Sequence, residues 1–314
     1  MVAALLLVLA LAGPACSRPE DRPTERGRAM EPTAARTPVR PAAAVGEASR
    51  VALRPGQVVA AIGDVHGDLT ALRGALKLAG VLDDADRWCG GDRIVVITGD
   101  YLDRGDDEQE ILALLPELQS QATAAGGALH ALLGNHELLN AQGKLDYVSE
   151  RGKTLSDAQG RTRRQLFAPG GPLALRLATG HVALIVGRTV FVHGGVSLAH
   201  ARRGLDDLNR AARAWLTGER AALDNDVLGL VWLRDYSLGV PAPATCDALA
   251  AALLQLGADR MVMGHSVQET INAACDGRAW RIDVGLSRHY GSRGPEVLLI
   301  EGDRVSVKRA PEKR

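Results

Sequence analysis

The ten residues VVAAIGDVHG at positions 58–67 join a short apolar run to a polar turn. Five consecutive apolar residues, Val58 to Ile62, are typical of a strand that is buried on both faces of a sheet. In the turn that follows, Asp64 and His66 lie two residues apart between glycines that allow the backbone to fold tightly. A carboxylate and an imidazole at this spacing can point at one cation. The stretch therefore predicts a buried strand that ends in metal-binding side chains.

The same arrangement recurs four times along the chain. Each time, a short apolar run ends in a residue that can bind a metal ion. The four runs and their polar ends are Ile94 to Thr98 before Gly99 and Asp100, Leu129 to Leu133 before Gly134 and Asn135, Val190 to Val192 before His193, and Met261 to Met263 before Gly264 and His265. Apolar residues at helical spacing lie between the first runs, at 69–79 and 111–118. Alternating strands and helices indicate βαβ units, which bind ligands beyond the carboxyl ends of their strands.

The last part of the chain has a different pattern. Strand-like runs at residues 280–284, 297–301 and 305–308 are separated by glycines, which predicts a second sheet built of hairpins. Together the elements indicate an α/β fold in which a central β-sandwich of mixed sheets is flanked by helices.

The motif GDYLDRG at residues 99–105 adds charged side chains. Asp100 directly follows a buried strand, where an unpaired carboxylate is costly, so it needs a cation or several hydrogen-bond donors. Its two oxygens could bridge two metal ions. Arg104 offers a planar guanidinium suited to bidentate binding of phosphate, and Asp103 is placed to orient a neighbouring acid or base. An ion-paired turn without a ligand is the alternative for this stretch taken alone.

The remaining strand ends supply neutral donors. The amide oxygen of Asn135 is a weak ligand, useful where a site already holds anions, and the adjacent His136 is free for proton transfer. Taken singly, Asn135 fits a helix cap, and His193 and His265 fit hydrogen-bonded core histidines. The ordered set of motifs favours one shared site over five separate coincidences.

The ordered series of motifs resembles that of the calcineurin-like metallophosphoesterases, in particular the phosphoprotein phosphatase family and its bacterial relatives. The motifs are, in order, GDVHG, GDYLDRG, GNHE, HGG and GH. Further segments resemble more closely the Shewanella-like protein phosphatase subgroup, namely residues 138–147, 167–172, 190–196, 231–234 and 282–290. The resemblance covers residues 57–302, nearly the whole of the predicted folded part.

The resemblance implies a role for each matched residue. The implied metal ligands are Asp64, His66, the bridging Asp100, Asn135, His193 and His265. His136 matches the family's general acid, and Asp103 matches the carboxylate paired with it. Arg104 and Asn135 would contact the substrate phosphate. Arg234, in a Trp-x-Arg segment, would be a second phosphate-binding arginine, with a surface ion pair as the alternative.

The implied cofactors are two divalent transition-metal ions. Mixed nitrogen and oxygen ligands suit Mn, with Fe, Zn, Co or Ni as alternatives, rather than Ca. A water held by the two ions would attack a phosphomonoester, and His136 would protonate the leaving group. The expected activity is that of a phosphoprotein phosphatase acting on Ser/Thr, on Tyr or on both. The alternatives are a nucleotide hydrolase, such as a dinucleoside tetraphosphatase, and a catalytically silent lipoprotein that binds phosphorylated ligands.

The composition of the 314-residue chain excludes other classes of partner. It has 37 basic and 37 acidic side chains, so no global positive charge favours nucleic acid or an anionic bilayer. With 46% hydrophobic and 24% charged residues, it is typical of a globular protein. A phosphorylated protein or small phosphoester would therefore be held locally, and we expect a monomer.

The amino terminus indicates export. Residues 2–12 form an apolar run that is too short to span a bilayer. Cys16 follows small residues as in a lipobox, so residues 1–16 are predicted to be a signal peptide ending at a lipidated cysteine, with cleavage after Ala15 as the alternative. Residues 17–50 are rich in Pro and Arg and predict a disordered tether, followed by one catalytic domain at 51–314. We expect a protein of the cell envelope or periplasm that touches the membrane only through this anchor.

Two further expectations concern the folded part. Cys89, Cys246 and Cys275 match no zinc site and allow at most one disulfide among them, and we expect buried small side chains. The polar segment 142–164 is expected to be a lid or substrate-facing insertion, with an ordinary surface loop as the alternative.

Overall fold

The computed structural model describes residues 48–291 and 294–310. Within these ranges, strands form two mixed sheets that are connected and flanked by helices. The strands are β1 (Arg50–Val51), β2 (Val58–Ile62), β3 (Ile94–Ile97), β4 (Ala128–Ala131), β5 (Ala183–Val186), β6 (Thr189–Val192), β7 (Arg260–Met263), β8 (Asn272–Ala274), β9 (Ala279–Arg281), β10 (Glu296–Glu301) and β11 (Arg304–Arg309).

The helices are mostly short. They are α1 (Leu69–Leu78), α2 (Glu108–Ala124), α3 (Asn135–Ala141), α4 (Glu150–Lys153), α5 (Arg163–Phe167), α6 (Pro172–Leu177), α7 (Leu198–Arg203), α8 (Leu205–Leu216), α9 (Asn225–Trp232) and α10 (Pro243–Leu256), with a 3₁₀ helix at Arg288–Tyr290. The two predicted helical stretches are confirmed as α1 and α2. The apolar stripe of α1 is buried, and Asp68 caps its first turn by accepting a hydrogen bond from the Ala71 backbone N–H.

The first sheet has the strand order β11-β10-β2-β3-β4. β2, β3 and β4 are parallel, with Ile62 paired to Ile97 and Ile97 paired to Ala131. The carboxyl ends of these three strands therefore lie at one edge of the sheet. β2 and β3 confirm the predicted buried strands, whereas β4 is largely half-buried and ends two residues before the predicted Leu133.

The second sheet has the order β1-β5-β6-β7-β9-β8. β6 and β7 are parallel, so the residues that follow them also lie at one edge. The prediction that the last strands form a second sheet of their own is wrong. β10 and β11 form a hairpin that extends the first sheet through β2, and the β8–β9 hairpin lies at the edge of the second. The pairing of β10 with β2 joins distant parts of the chain, which local periodicity does not encode.

Helices cover the sheets and complete a continuous hydrophobic core. α1 contacts β10, α2 contacts β4, and α8 contacts β5. Apolar side chains from both sheets belong to the same buried cluster. The predicted α/β fold with a central sandwich of mixed sheets is thus confirmed.

The cysteines differ from expectation. Cys246 in α10 and Cys275 after β8 form a disulfide, with their Cα atoms 5.2 Å apart, so the prediction of buried small side chains is wrong for this pair. Both residues are only partly buried. They are 29 residues apart in the chain, and only the tertiary structure brings them together.

The predicted signal peptide at 1–16 and most of the predicted tether lie outside the described residues and stay predictions. The last residues assigned to the tether are ordered. Ser49 is buried and donates its backbone N–H to Asp206 at 2.7 Å, and Arg50 begins β1. The folded part therefore begins slightly before residue 51. Among the described residues, no helix is long and apolar enough to cross a membrane.

Candidate active site

The carboxyl ends of strands from both sheets meet and bring all six predicted metal ligands together. Three strands of the first sheet contribute Asp64, His66, Asp100 and Asn135, and two strands of the second contribute His193 and His265. Each of the six residues is at most 7% exposed. Two overlapping groups of candidate ligands share Asp100, one with His66 and His136 and the other with His193 and His265.

Three possible ligand atoms lie close to Nε2 of His193, which is itself a fourth. Its Nε2 lies 2.8 Å from Asn135 Oδ1, 3.0 Å from His265 Nδ1 and 3.1 Å from Asp100 Oδ2. One imidazole nitrogen carries at most one proton, so it cannot satisfy three such neighbours. The opposite ring nitrogen, Nδ1, lies 3.0 Å from the carbonyl oxygen of Thr98, to which it can donate. A cation among these donors fits the arrangement, since the carbonyl would orient the ring as it does in many metal sites.

The second group lies around His66. Its Nδ1 is 3.2 Å from the Leu102 carbonyl oxygen, which leaves Nε2 facing two carboxylates. Nε2 is 3.8 Å from Asp100 Oδ2 and 4.0 Å from Asp64 Oδ2. The carboxylate of Asp64 also accepts the backbone N–H of His265 at 3.0 Å, which links the two groups. Asp100 lies between both groups, as a bridging ligand would.

The electrostatics of the cluster fit cations. Burial lowers the pKa of His66 to about 3 and that of His265 to about 2, so both imidazoles are neutral and keep a lone pair. The buried Nε2 of His265 also lacks a hydrogen-bond partner among the described residues. Burial raises the pKa of Asp64 well above its usual value, and the charges of Asp283 and Asp100 raise it further. Divalent cations would relieve this repulsion, because they favour ionised carboxylates.

His136 and Asp103 form a buried pair next to the cluster. Nδ1 of His136 lies 2.7 Å from Asp103 Oδ2, and Nε2 lies 3.7 Å from Asp100 Oδ2. Burial alone would lower the pKa of His136, but Asp100 and the hydrogen bond to Asp103 raise it above its usual value. The imidazole therefore favours the protonated form, with the Nε2 proton facing the cluster. This is the arrangement expected of a general acid.

The rings of Tyr147 and Tyr290 form an aromatic rim next to Arg104. Its guanidinium lies 5.5 Å from the ring centre of Tyr147 and 5.2 Å from that of Tyr290, and Nη1 is 3.1 Å from His289 Nε2. The two tyrosine rings also contact the cluster, Tyr147 at 4.9 Å from the His136 ring and Tyr290 at 5.7 Å from the ring of His66. The Nε atom of Arg104 is buried without a hydrogen-bond partner in the described chain. This arginine thus lies beside the cluster with donor capacity left for an anion.

Arg234 lies on the side of the second sheet. Its Nη1 donates to the carbonyl oxygen of His265 at 2.9 Å and to Ser266 Oγ at 2.8 Å. Among the described residues, these contacts of the Arg234 guanidinium go to a carbonyl and a hydroxyl oxygen rather than to the carboxylate of a surface ion pair. The indole ring of Trp232 lies 5.4 Å from the His265 ring. Both predicted phosphate-binding arginines therefore adjoin the cluster.

Hydrogen bonds hold the loops of the site in a strained backbone conformation. Five non-glycine residues of the site have positive φ angles, namely His66 (45°), Asp100 (49°), Asp103 (65°), Arg104 (69°) and His265 (68°). Each such conformation costs about 1–3 kcal/mol and persists only where the surroundings enforce it. Hydrogen bonds tie the loops together, since the His66 N–H donates to the Asp100 carbonyl at 2.9 Å and the Gly105 N–H donates to the His66 carbonyl at 3.1 Å.

Sequence reasoning missed two buried carboxyl groups. Glu137 accepts the backbone N–H groups of Asp100, Leu102 and Gly134 at 2.8–3.1 Å, and burial raises its pKa to about 7. Asp283 is 1% exposed and adjoins Asp64, and burial raises its pKa to about 6. Both had a local signal. Glu137 belongs to the GNHE motif, and Asp283 lies in the strand-like run 280–284.

The segment 142–164 contributes to the site from outside the motifs. Tyr147 forms part of the rim above His136, and Arg163 is buried next to Asp103. The expectation of a substrate-facing insertion agrees with the position of Tyr147. Arg163 has no local signal, because it lies in a polar stretch that also fits a surface loop.

Comparison with known proteins identifies the family. The sequence profile of the calcineurin-like phosphoesterases matches residues 58–269. The chain belongs to this family. This phosphoesterase is 36% identical to Shewanella-like protein phosphatase 2 of Arabidopsis thaliana, over 80% of this chain and 76% of the relative. It is 28% identical to Shewanella-like protein phosphatase 1 of Plasmodium berghei (strain Anka), over 81% of this chain and 74% of the relative.

Solved structures agree with this assignment. The phosphoesterase superimposes on the cold-active protein-tyrosine phosphatase of a psychrophilic Shewanella species with a TM-score of 0.72 and 25% identity, over 83% of this chain and 82% of that chain. The resemblance seen in the motifs is thus confirmed, and the protein is a phosphoester hydrolase. Membership of the family implies divalent metal ions, and the buried donor set described above fits them.

Proposed function

We propose that this phosphoesterase is a metal-dependent phosphoprotein phosphatase. The observation that carries the proposal is the His136–Asp103 pair, which lies beside a buried cluster of metal-competent donors. The two relatives named above are protein phosphatases by name, and their similarity covers most of both chains. These likenesses support a phosphorylated protein as the substrate.

The residues of the cluster would hold two metal ions. Asp64 and His66 would bind one ion, Asn135, His193 and His265 would bind the other, and Asp100 would contact both. When bound, the ions supply Lewis acidity that activates water and neutralises phosphate charge. We propose Mn as the native metal, because neutral imidazoles combined with carboxylate and amide oxygens suit a borderline cation better than Ca.

The side chains around the cluster would bind and orient the phosphoryl group. Arg104 and Arg234 adjoin opposite halves of the donor set, and each carries positive charge for the equatorial oxygens of the phosphoryl group. Asn135, whose amide oxygen lies 2.8 Å from Nε2 of His193, would also contact the phosphoryl group. Contacts from two sides would hold the phosphoryl group in one orientation, which favours in-line attack.

His136 would transfer a proton to the leaving alkoxide or phenoxide. Its Nδ1 hydrogen bond to Asp103 fixes the ring and leaves the proton on Nε2, which faces the cluster. A poor leaving group needs this proton, because an unprotonated alkoxide is too basic to depart readily.

Kinetics on matched substrates would test the proposal. The purified protein, stripped of metal and reloaded with Mn, would be assayed on phosphoserine, phosphothreonine and phosphotyrosine peptides and on dinucleoside tetraphosphates. We expect kcat/KM for at least one phosphopeptide to exceed that for the dinucleotides by about tenfold or more, which is a difference of about 1.4 kcal/mol in transition-state binding. The metal-stripped protein is the control. A preference for dinucleotides would contradict the proposal, and absence of turnover with every metal would favour a binding protein.

We also propose that the enzyme is exported as a monomer and anchored through Cys16. The apolar run at residues 2–12 and the small residues before Cys16 support this. Metabolic labelling with a radioactive or alkyne-tagged fatty acid should label the wild-type protein and leave Cys16→Ser unlabelled. Absence of label from the wild-type protein in a bacterial host with lipoprotein processing would contradict the lipid anchor.

A further inference from the structure

Arg163, from the segment between α3 and α6, is a buried cation with no role in the function proposed above. Its side chain is 1% exposed, and all of its donors are used. Nε donates to Asn140 Oδ1 at 2.8 Å. Nη1 donates to Glu108 Oε2 at 2.5 Å and to the Gly152 carbonyl oxygen at 3.1 Å. Nη2 donates to Glu108 Oε1 at 3.0 Å and to Asp103 Oδ1 at 3.3 Å. Five donors thus meet five acceptors, which is the full capacity of a guanidinium.

These contacts converge on the carboxylate that pairs with His136. Oδ1 of Asp103 accepts from Arg163 and, at 2.7 Å, from the Asn140 side-chain amide, which leaves Oδ2 for the imidazole. The backbone N–H of Asp103 donates to Glu108, the same carboxylate that Arg163 holds in a two-pronged contact. Asp103 is therefore held at its side chain and its backbone, and Arg163 takes part in both.

Arg163 also determines the orientation of Asn140. A guanidinium can only donate, so its contact with Asn140 Oδ1 requires the amide NH₂ group to point the other way. That group donates to Asp103 Oδ1 and, at 2.9 Å, to the carbonyl oxygen of His136. These two acceptors and Arg163 therefore favour the same amide orientation, and loss of Arg163 would remove the donor that holds its oxygen side.

Arg163 brings a positive charge to two buried carboxylates. Asp103, Glu108 and Asn140 are each at most 2% exposed, and Arg163 forms an ion pair with both carboxylates. A buried ion pair by itself says little about stability or function. Here, however, the arginine bonds directly to the carboxylate that holds the His136 ring, so its loss would leave two buried carboxylates without their cation.

We propose that Arg163 is the positioning residue of the general acid, which holds Asp103 and thereby aims the His136 proton at the leaving group. The inference rests on the phosphatase function proposed above. It makes a segment outside the recognisable motifs necessary for leaving-group protonation. Arg163 touches neither the donor cluster nor the phosphate-binding arginines, so its removal affects one chemical step rather than metal or phosphate binding.

The dependence of turnover on the leaving group tests this role. Arg163→Met removes all five donors while keeping a long apolar side chain. We expect kcat for phenyl phosphate to fall about 10²-fold, because this leaving group needs a proton. With 2,4-dinitrophenyl phosphate the fall should stay within about threefold, since the dinitrophenolate departs unprotonated. Arg164→Met, at an exposed arginine next to it, is the matched control and should change neither rate. An equal loss on both substrates would overturn the proposal.

Further variants separate positioning from folding. Arg163→Lys keeps the charge and loses the planar fork, so it should restore part of the phenyl phosphate rate, and it serves if Arg163→Met does not fold. In His136→Asn, adding Arg163→Met should cause little additional loss, because both changes affect the same step. A fully additive loss would show that Arg163 acts independently of His136, against the proposal.

Nuclear magnetic resonance gives a readout that does not depend on turnover. In the magnesium-loaded or zinc-loaded protein with ¹⁵N-labelled histidine, the Nδ1 proton of His136 should give a slowly exchanging signal, identified by its absence in His136→Asn. We expect Arg163→Met or Arg163→Lys to broaden or shift that signal, and Arg164→Met to leave it unchanged. An unchanged signal would overturn the positioning role. If the wild-type protein hydrolysed no phosphoester, the proposed function would fail, and this measurement would still decide whether Arg163 holds the pair.

Discussion

Asn135 and His136 are consecutive residues that face different partners. The Asn135 side chain points to His193, and the His136 side chain points to Asp103. They open α3, and successive residues of a helix point about 100° apart, so adjacent positions reach different sides of the site. This is why the GNHE motif alone predicts one metal ligand and one separate acid. Nε2 of His136 also lies 3.7 Å from Oδ2 of Asp100, so the position of His136 fits a metal ligand as well as an acid.

Replacing His136 by asparagine would decide between an acid and a metal ligand. We expect His136→Asn to lower kcat for phenyl phosphate by about 10²–10⁴-fold, the usual contribution of a general acid. Metal content, measured by inductively coupled plasma mass spectrometry after reloading, should remain that of the wild-type protein. His265→Asn is the matched control and should lose metal, since the imidazole of His265 belongs to the proposed ligand set. Loss of metal from His136→Asn would show that His136 is a ligand.

At the scale of elements, the turn after each strand positions the site residues as much as the strand itself does. β3 and β4 are neighbours, so the turns that follow them lie side by side. A Cβ atom at Gly134 would overlap the carboxylate of Asp100, and one at Gly264 would overlap that of Asp64. These glycines therefore admit an acidic side chain from another strand end, of the same sheet for Gly134 and of the other sheet for Gly264, into space that a Cβ atom would fill. Two of the 35 glycines of the chain serve this purpose.

The substitution Gly134→Ala tests the close approach. The added methyl group would displace the Asp100 carboxylate, so we expect weaker metal binding and a fall in kcat/KM of about 10²-fold at limiting Mn. Circular dichroism should show an intact fold, because the strand itself is unchanged. Gly74→Ala in α1 is the control, since its methyl group would make only an ordinary contact with Pro295. Wild-type activity of Gly134→Ala at limiting Mn would contradict the argument.

Local patterns predicted some elements and not others for physical reasons. The runs before Asp64 and Asp100 are continuous apolar stretches, and their burial in parallel strands follows from that composition. The attachment of β10 to β2 and the Cys246–Cys275 disulfide depend on contacts between distant segments, which no local period contains. Arg163 was missed for the same reason, since a polar stretch gives no indication of which arginine becomes buried.

At the scale of the whole molecule, the site exists only when both sheets are assembled. The first sheet carries the acidic ligands, and the second carries His193 and His265. Neither sheet holds a complete donor set. Metal ions that bind this joint site and not the unfolded chain would therefore stabilise the native state by mass action. In their absence, the neighbouring imidazoles hold the pKa of Asp100 low despite its burial, whereas burial and the charge of Asp283 raise the pKa of Asp64.

The stability of the metal-free protein should therefore depend on pH. Burial raises the pKa of Asp283 to about 6 and that of Glu137 to about 7, whereas their ordinary values are 3.8 and 4.5. Between the ordinary and the raised values, the unfolded chain has released these protons and the folded chain retains them. Over this range, rising pH therefore makes these two carboxyl groups destabilise the metal-free fold, whereas the lowered pKa values of His66 and His265 act in the opposite direction up to about pH 6.5.

Thermal unfolding at a series of pH values would check this prediction. With EDTA present, we expect the Tm of the wild-type protein to fall by about 5 °C relative to that of Asp283→Asn between pH 4.5 and pH 6.5, because only the wild-type protein can ionise at residue 283. With Mn present, this difference should be smaller, because the cations favour the ionised carboxylates. Parallel metal-free curves for the two proteins would mean that the Asp283 carboxyl group is already compensated by the protein alone, and the case for cations at the junction of the two sheets would lose its electrostatic basis.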